Sequence, residues 1–344
     1  MSTDRAKGSL SQRWSASVDD YAIAGSWAKE KGALVVCDVA GSVYAFDGKS
    51  GDRLWTHQSA HEGGLLMMAM HPSGKVFATS GQDGRVLLWR VSDGKVEHVI
   101  EVGQGWVESL AWSPRGQRLA VACGRQVHVY KPDGEEVWHT DDHPSTVSTI
   151  GWSGGRELAT ACYGRVAFFD AMTGELRQKL EWKGSLVSMV LSPDGDVVAC
   201  GSQDNTVHFW RRSTEEDSMM AGYSGKPSAL SFDASGTLLA TGGGRSVTVW
   251  SFKDGGPEGT SPGVLDLHTD AVKKLVFAPR RLRLASGSRD GSVVVWSLAS
   301  DGAGDAEGIA LLPGAVAELC WQRDGRALAG LDAQGGVTVW DVAA

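Results

Sequence analysis

Apolar residues in this chain come in short runs of four to six, broken every few residues by Gly, Asp, Ser, Asn or Pro. Runs such as LVVC (34–37), LAVAC (119–123) and VVAC (197–200) are strand-sized and continuous. No stretch repeats apolar positions at the 3.6-residue period of a helix. This pattern predicts an all-β chain of about 32 short strands joined by tight turns.

The strands recur in a fixed order. One phrase is an apolar strand ending in an aromatic, followed by a polar turn: SVYAFD (42–47), RVLLWR (85–90), QVHVYK (126–131), RVAFFD (165–170), TVHFWR (206–211), SVTVWS (246–251), SVVVWS (292–297) and GVTVWD (336–341). Its aromatics, Phe46, Trp89, Tyr130, Phe169, Trp210, Trp250, Trp296 and Trp340, are separated by 43, 41, 39, 41, 40, 46 and 44 residues. A second phrase precedes it, as in VESLAWSPRG (107–116), VSTIGWSGGR (147–156) and VAELCWQRDG (316–325). Between the two lies a short strand, and after the aromatic comes a fourth. Each unit therefore holds four strands, here called a, b, c and d. Such a sheet cannot bury its faces alone, so stacked repeats are required. The chain ends directly after the eighth c-strand, leaving that unit without a d-strand. Residues 9–18 (SLSQRWSASV) precede the first a-strand and fit as the missing one. The first and last segments are then expected to pair, closing the array and protecting two strand edges.

Trp340-Asp341, with the variants WR, WS, FD and YK, makes the chain resemble the WD40-repeat β-propeller family, of the stand-alone bacterial type, over nearly its whole length. The resemblance implies eight four-stranded blades, with seven, the family's commonest number, as the alternative. It implies a short flexible tail over 1–8 and one propeller over 9–344. The family's buried tetrad of His, Ser/Thr, Asp and Trp is matched by His61, Thr79, Asp83 and Trp89, and by His268, Ser286, Asp290 and Trp296. Repeat five keeps Asp204 and Trp210 but has Cys200 at the hydroxyl position, and repeat four has Phe169 for Trp.

Composition narrows the function. A net charge of -8 lacks the basic field that direct nucleic-acid binding needs. No apolar run approaches the ~20 residues of a membrane-spanning helix. The N-terminal residues lack the apolar core of a secretory signal, so a cytoplasmic protein is expected. The five Cys form no CxxC pair and lie mostly late in b-strands, as small apolar core residues do. No metal site is expected, although a fold can bring distant ligands together.

Catalytic motifs fail in context. Gly151–Gly155 (GWSGG) matches G-x-S-x-G but occupies an a–b hairpin rather than a strand-to-helix elbow. Gly222–Ser228 (GYSGKPS) has Met220 and Pro227 where a phosphate loop needs Gly and Ser/Thr. Ala45-Phe46-Asp47, Gly51 and Trp55 resemble the tryptophan-docking motif of quinoprotein-type propellers, complete only once, and are read as turn chemistry with Trp55 packing between blades. No enzyme and no cofactor are expected.

In WD40-like propellers partners dock on the face made by d–a and b–c loops. Register places Tyr21, Met67, Trp106, Lys226, Lys274 and Glu318 there near a-strand starts, and Gln82, Tyr163, Gln203 and Arg289 in b–c turns. Aromatic and Arg side chains suit a protein or peptide surface. Trp106 stands out because the matching slots hold Gly64, Thr146 and Ser185, so the fold needs no bulk there. Arg280 and Arg281 fall in an a–b turn on the opposite face. The expected function is a non-catalytic scaffold, monomeric in isolation, for an unidentified protein or peptide. Alternatives are a cofactor-binding or quinoprotein-like enzyme and a subunit of a nucleic-acid-associated complex.

Overall fold

A computed structural model describes residues 8–29, 32–253 and 256–343. Among the described residues its strands form eight four-stranded sheets. The fold is all-β, of the eight-bladed β-propeller class. Seven blades take four consecutive strands; blade 1, for example, is Ala22–Trp27, Leu34–Asp38, Val43–Phe46 and Arg53–His57. The eighth takes Val316–Trp321, Ala327–Asp332 and Gly336–Asp341 and completes itself with Ser11–Ser17 from the start of the chain.

That fourth strand was legible in the sequence. It pairs antiparallel with Gly336–Asp341, Trp14 opposite Val339 and Ser17 opposite Gly336. Trp14 is buried and Arg13 forms a 2.5 Å ion pair with Asp341. Residues 1–7 of the expected tail lie outside the described residues. Gly8 already accepts a hydrogen bond from Ile309 N, and Leu10 N donates to Ile309 O.

Two compact units make up the chain, Val18–Met189 and Met1–Ser17 with Val190–Ala344. Within each, the same logic sets the burial. The b-strands, such as Leu34–Asp38 and Val197–Ser202, are buried along their whole length. They are packed on both faces, which is why they read as unbroken apolar runs rather than alternating ones. The d-strands, such as Arg53–His57, are mostly exposed. The cores lie between successive blades: Val35, Cys37, Phe77 and Trp89 join blades 1 and 2, and Leu284, Trp296 and Leu238 join blades 6 and 7. Each fully buried side chain of this size contributes ~1.5–3 kcal/mol.

Tryptophan adds directed bonds to this packing. In the Val18–Met189 unit, Trp112 Nε1 donates to Ala69 O and Trp152 Nε1 to Ala111 O, each reaching the a-strand of the preceding blade. Trp321 Nε1 does the same to Val276 O in the other unit. Trp residues of d-strands reach forward instead: Trp55 Nε1 donates to Val91 O and Trp138 Nε1 to Ala171 O. Both indoles lie over a turn glycine of the next blade, Gly94 (φ +66°) and Gly174 (φ +73°), where an added Cβ would come within 2.6 and 2.7 Å of the ring. These turns need glycine for both their backbone and their close approach.

The N-terminal strand yields a direct prediction. Trp14→Ala should destabilise the protein by roughly 3–5 kcal/mol, as expected for truncating a buried aromatic. Gln12→Ala, at an exposed position of the same strand, should leave thermal melting unchanged. Equal melting of both variants and wild type would refute the role given to this strand.

Candidate functional site

The buried polar residues come first, because they hold the loops. In blade 2 the tetrad closes as one chain of hydrogen bonds. Trp89 Nε1 donates to Thr79 Oγ1 at 2.8 Å, Thr79 Oγ1 lies 2.8 Å from His61 Nε2, and His61 Nδ1 lies 3.0 Å from Asp83. One proton arrangement satisfies it: the Thr79 hydroxyl donates to Nε2 and the His61 Nδ1–H donates to Asp83. Burial lowers the His61 pKa against the opposing pull of Asp83, so the ring is neutral. Asp83 also binds Arg85 and the Glu62 backbone N, which anchors the loop before the a-strand to the b–c turn.

Blade 7 departs from expectation. Trp296 Nε1 donates to Ser286 Oγ at 2.8 Å, and Ser286 lies 2.7 Å from His268 Nε2. His268 Nδ1 meets Ser292 Oγ, not Asp290, and Ser292 Oγ passes its hydrogen to Asp290. Asp290 also accepts bonds from Thr269 N and Oγ1. Burial opposes its charge, yet these donors outweigh burial and hold its pKa well below the usual carboxylate range. Two other blades build partial networks that residue matching missed. His143 Nε2 lies 2.9 Å from Thr160 Oγ1 in blade 4. In blade 6 Tyr223 stands in for histidine, its hydroxyl accepting from Trp250 Nε1 and bonding Thr241. The cysteines form no disulfide among the described residues, and burial pushes the Cys37, Cys200 and Cys320 thiols up, away from nucleophilic character.

Within Val18–Met189, d–a loops and b–c turns meet along one face. Gln82 N donates to Gly64 O, Val147 N to Gly124 O, and Tyr163 N to Ser145 Oγ. On this scaffold Trp106 is 54% exposed, Tyr163 58% and Tyr21 38%. Gly105, beside Trp106, faces Cys123 Sγ at the end of a b-strand. Gln82 is half-buried. Met67 is also half-buried and packs on the Val107, Leu110 and Tyr130 cluster, so its side chain serves the core between blades 2 and 3.

In the other unit Gln203, Lys226 and Arg289 are exposed. Lys274 and Glu318 bind each other, Nζ to Oε2 at 2.9 Å across neighbouring a-strands. Among the described residues, five a-strands slip register near their start, between Ala22 and Ala24, Leu65 and Met67, Val107 and Ser109, Val272 and Lys274, and Val316 and Glu318. The bulged residues Ile23, Leu66, Glu108, Lys273 and Ala317 are where simple alternation fails. Of these, Glu108 and Lys273 are exposed, and Glu108 was not singled out in the sequence. At the a–b turns of this unit, Arg280, Arg281, Arg283 and Arg326 line a cavity of ≈ 170 Å³ with Asp324. Arg283 is buried there and bonded to Glu307 and the Ala343 carbonyl.

Comparison with known proteins follows this geometry. The family described as WD domain, G-beta repeat matches residues 94–131, 174–211, 218–251 and 259–297. The family described as outer membrane protein assembly factor BamB matches residues 3–111. Autophagy-related protein 16 of Arabidopsis thaliana is 25% identical over 82% of this chain and 56% of its own length. Echinoderm microtubule-associated protein-like 2 of Mus musculus is 27% identical over 78% of the chain and 42% of its own length. Transducin beta-like protein 3 of Rattus norvegicus is 31% identical over 55% and 24%. The chain thus spans about half or less of the length of these relatives. The crystal structure of the computationally designed Ika8 protein superposes with a TM-score of 0.81, covering 98% of this chain and 100% of that one at 19% identity. That likeness concerns the fold alone.

Two outcomes test the polar networks. Thr79→Val should cost roughly 1–3 kcal/mol by leaving the Trp89 and His61 ring nitrogens unpaired. Burial lowers the pKa of His61, His143 and His268 below the ordinary 6.5. The unfolded chain then binds more protons below that value, so their stability contribution is present above pH 6.5 and lost as pH falls through the lower folded values. The melting temperature should therefore drop as the protein is acidified through the histidine range. A melting temperature flat across that range would show that these rings are not buried neutral.

Proposed function

We propose that this chain, which belongs to the WD40-repeat propeller family, is a non-catalytic scaffold that binds a protein or peptide on the face of d–a loops and b–c turns. Propellers of this family are typically protein-interaction scaffolds. The observation that carries the reading is the exposure of Trp106 and Tyr163 on a face otherwise tied down by backbone hydrogen bonds. Large aromatics presented from rigid loops lose little entropy on binding and dominate interface energetics. Trp106 is not demanded by the fold, since the equivalent positions hold Gly64, Thr146 and Ser185. In the other unit, taken by itself, Arg289, Lys226 and Gln203 are exposed and polar, as the rim of an interface is. In this reading the chain is cytoplasmic and monomeric in isolation.

A second reading, a quinoprotein-like cofactor propeller, draws on the match over residues 3–111 and on Trp55. The indole of Trp55 is already engaged, stacking on Phe77 at 6.3 Å and donating to Val91 O. Packing accounts for that motif without a cofactor. The net charge of -8 weighs against direct nucleic-acid binding.

Affinity capture with the purified chain separates these readings. Trp106→Ala and Tyr163→Ala should each weaken partner capture several-fold, consistent with ~1–2 kcal/mol per aromatic anchor, with melting unchanged. Arg280→Ala combined with Arg281→Ala, in the a–b turn, should leave capture intact. Loss of capture in the arginine pair, with retention in both aromatic variants, would move the functional face to the other side.

A further inference from the structure

The c–d hairpin of blade 3 gathers a second kind of chemistry. His128 of strand Gln126–Tyr130 is paired directly with His139 of strand Glu136–His139, and the rings lie 5.4 Å apart. Residues opposite each other on antiparallel strands share a face of the sheet. Glu136 precedes His139 by three positions, and in a regular strand it would point to the other face. The register slips here, Val129 facing Trp138 but Tyr130 facing Glu136, so Val137 is bulged out. That extra residue resets the alternation and returns Glu136 to the histidine side.

The result is a convergence of three ligand-type atoms. Glu136 Oε1 lies 2.7 Å from His139 Nδ1 and 3.5 Å from His128 Nδ1, and one ligand atom from each of the three residues falls within 4.8 Å of the other two. Ligands of a tetrahedral zinc ion at ~2.0–2.1 Å stand roughly 3.3–3.4 Å apart, so the cluster is near the size of one ion. His128 is held, with 13% of its side chain exposed and its ring stacked on Tyr130, while Glu136 and His139 are exposed and free to adjust. Moreover, His128 Nδ1 is buried and, among the described residues, has no hydrogen-bond partner. A buried ring nitrogen left in this way is costly, and a cation would relieve the cost.

We propose that His128, Glu136 and His139 form a binding site for a borderline divalent cation, Zn²⁺, that clamps strands c and d of blade 3. Two imidazoles and one carboxylate select zinc over the hard cations calcium and magnesium, which take all-oxygen sets. Zinc would take the Nδ1 lone pair of each ring, leaving each ring proton on Nε2. Three protein ligands leave a fourth position open to solvent. Because the ligands come from two strands, the ion would stabilise the folded chain over the unfolded one.

Calorimetric titration of the full-length, metal-stripped chain with ZnCl₂ tests this, alongside Co²⁺ titration read by visible absorption. The expected result is one zinc per chain, a Co²⁺ d–d band, and a rise in melting temperature on adding zinc. His139→Ala and Glu136→Gln, both at exposed positions, should each weaken zinc binding roughly tenfold or more. Glu135→Gln, one residue away, should not. His139→Ala should also abolish the Co²⁺ band while melting like the wild-type chain without metal. Undetectable zinc binding overturns the proposal, and so does equal affinity in wild type and His139→Ala, which would put the ion elsewhere.

Discussion

A four-stranded sheet has two faces and too few strands to cover either, so no blade here can stand alone. The fold depends on each sheet packing against the next. Apolar b- and c-strands supply the area, and tryptophan indoles supply direction. Trp112, Trp152 and Trp321 donate backward to a-strand carbonyls, and Trp55 and Trp138 donate forward to turn carbonyls. Such bonds add little net energy each, but a missing partner for a buried indole N–H is expensive. They therefore favour one spacing between neighbouring blades within each unit. The last blade meets the same constraint by taking its d-strand from Ser11–Ser17.

Loop geometry follows from this packing. The Trp89–Thr79–His61–Asp83 chain runs from the c-strand of blade 2 through its b-strand to the loop before its a-strand. It converts interblade packing into a fixed loop position. With the loops so held, a side chain set on them needs no further ordering to meet a partner. That is the physical reason the proposed binding face is built on Trp106 and Tyr163, which are exposed, and not on Met67, which is drawn into the core.

Much of this was legible in the amino-acid sequence. The regular spacing of Phe46 through Trp340 carries the eight blades, and the missing d-strand after Trp340 points to residues 9–18. Fixed offsets identify the blade 2 tetrad. Features that depend on one inserted residue or one hydroxyl rotor were not legible. Ser292 relays His268 to Asp290, although Asp290 stands at the expected offset. Bulges at five a-strand starts shift which side chains face outward without altering composition. The bulge at Val137 places Glu136 beside two histidines that strict alternation would put on the other face of the sheet. The pairing of Lys274 with Glu318 joins residues of adjacent blades, a relation that repeat matching does not encode.

The central claim is that packing holds the d–a and b–c loops rigid so that they can present a binding face. Hydrogen–deuterium exchange of the chain, free and with its captured partner, tests it most directly. The account predicts slow exchange of Val147 N and Gln82 N in the free chain, with added protection on binding at residues 102–107 and 162–165. Fast exchange at these loop amides in the free chain, or new protection confined to the turns at 278–283 and 323–326, would contradict it.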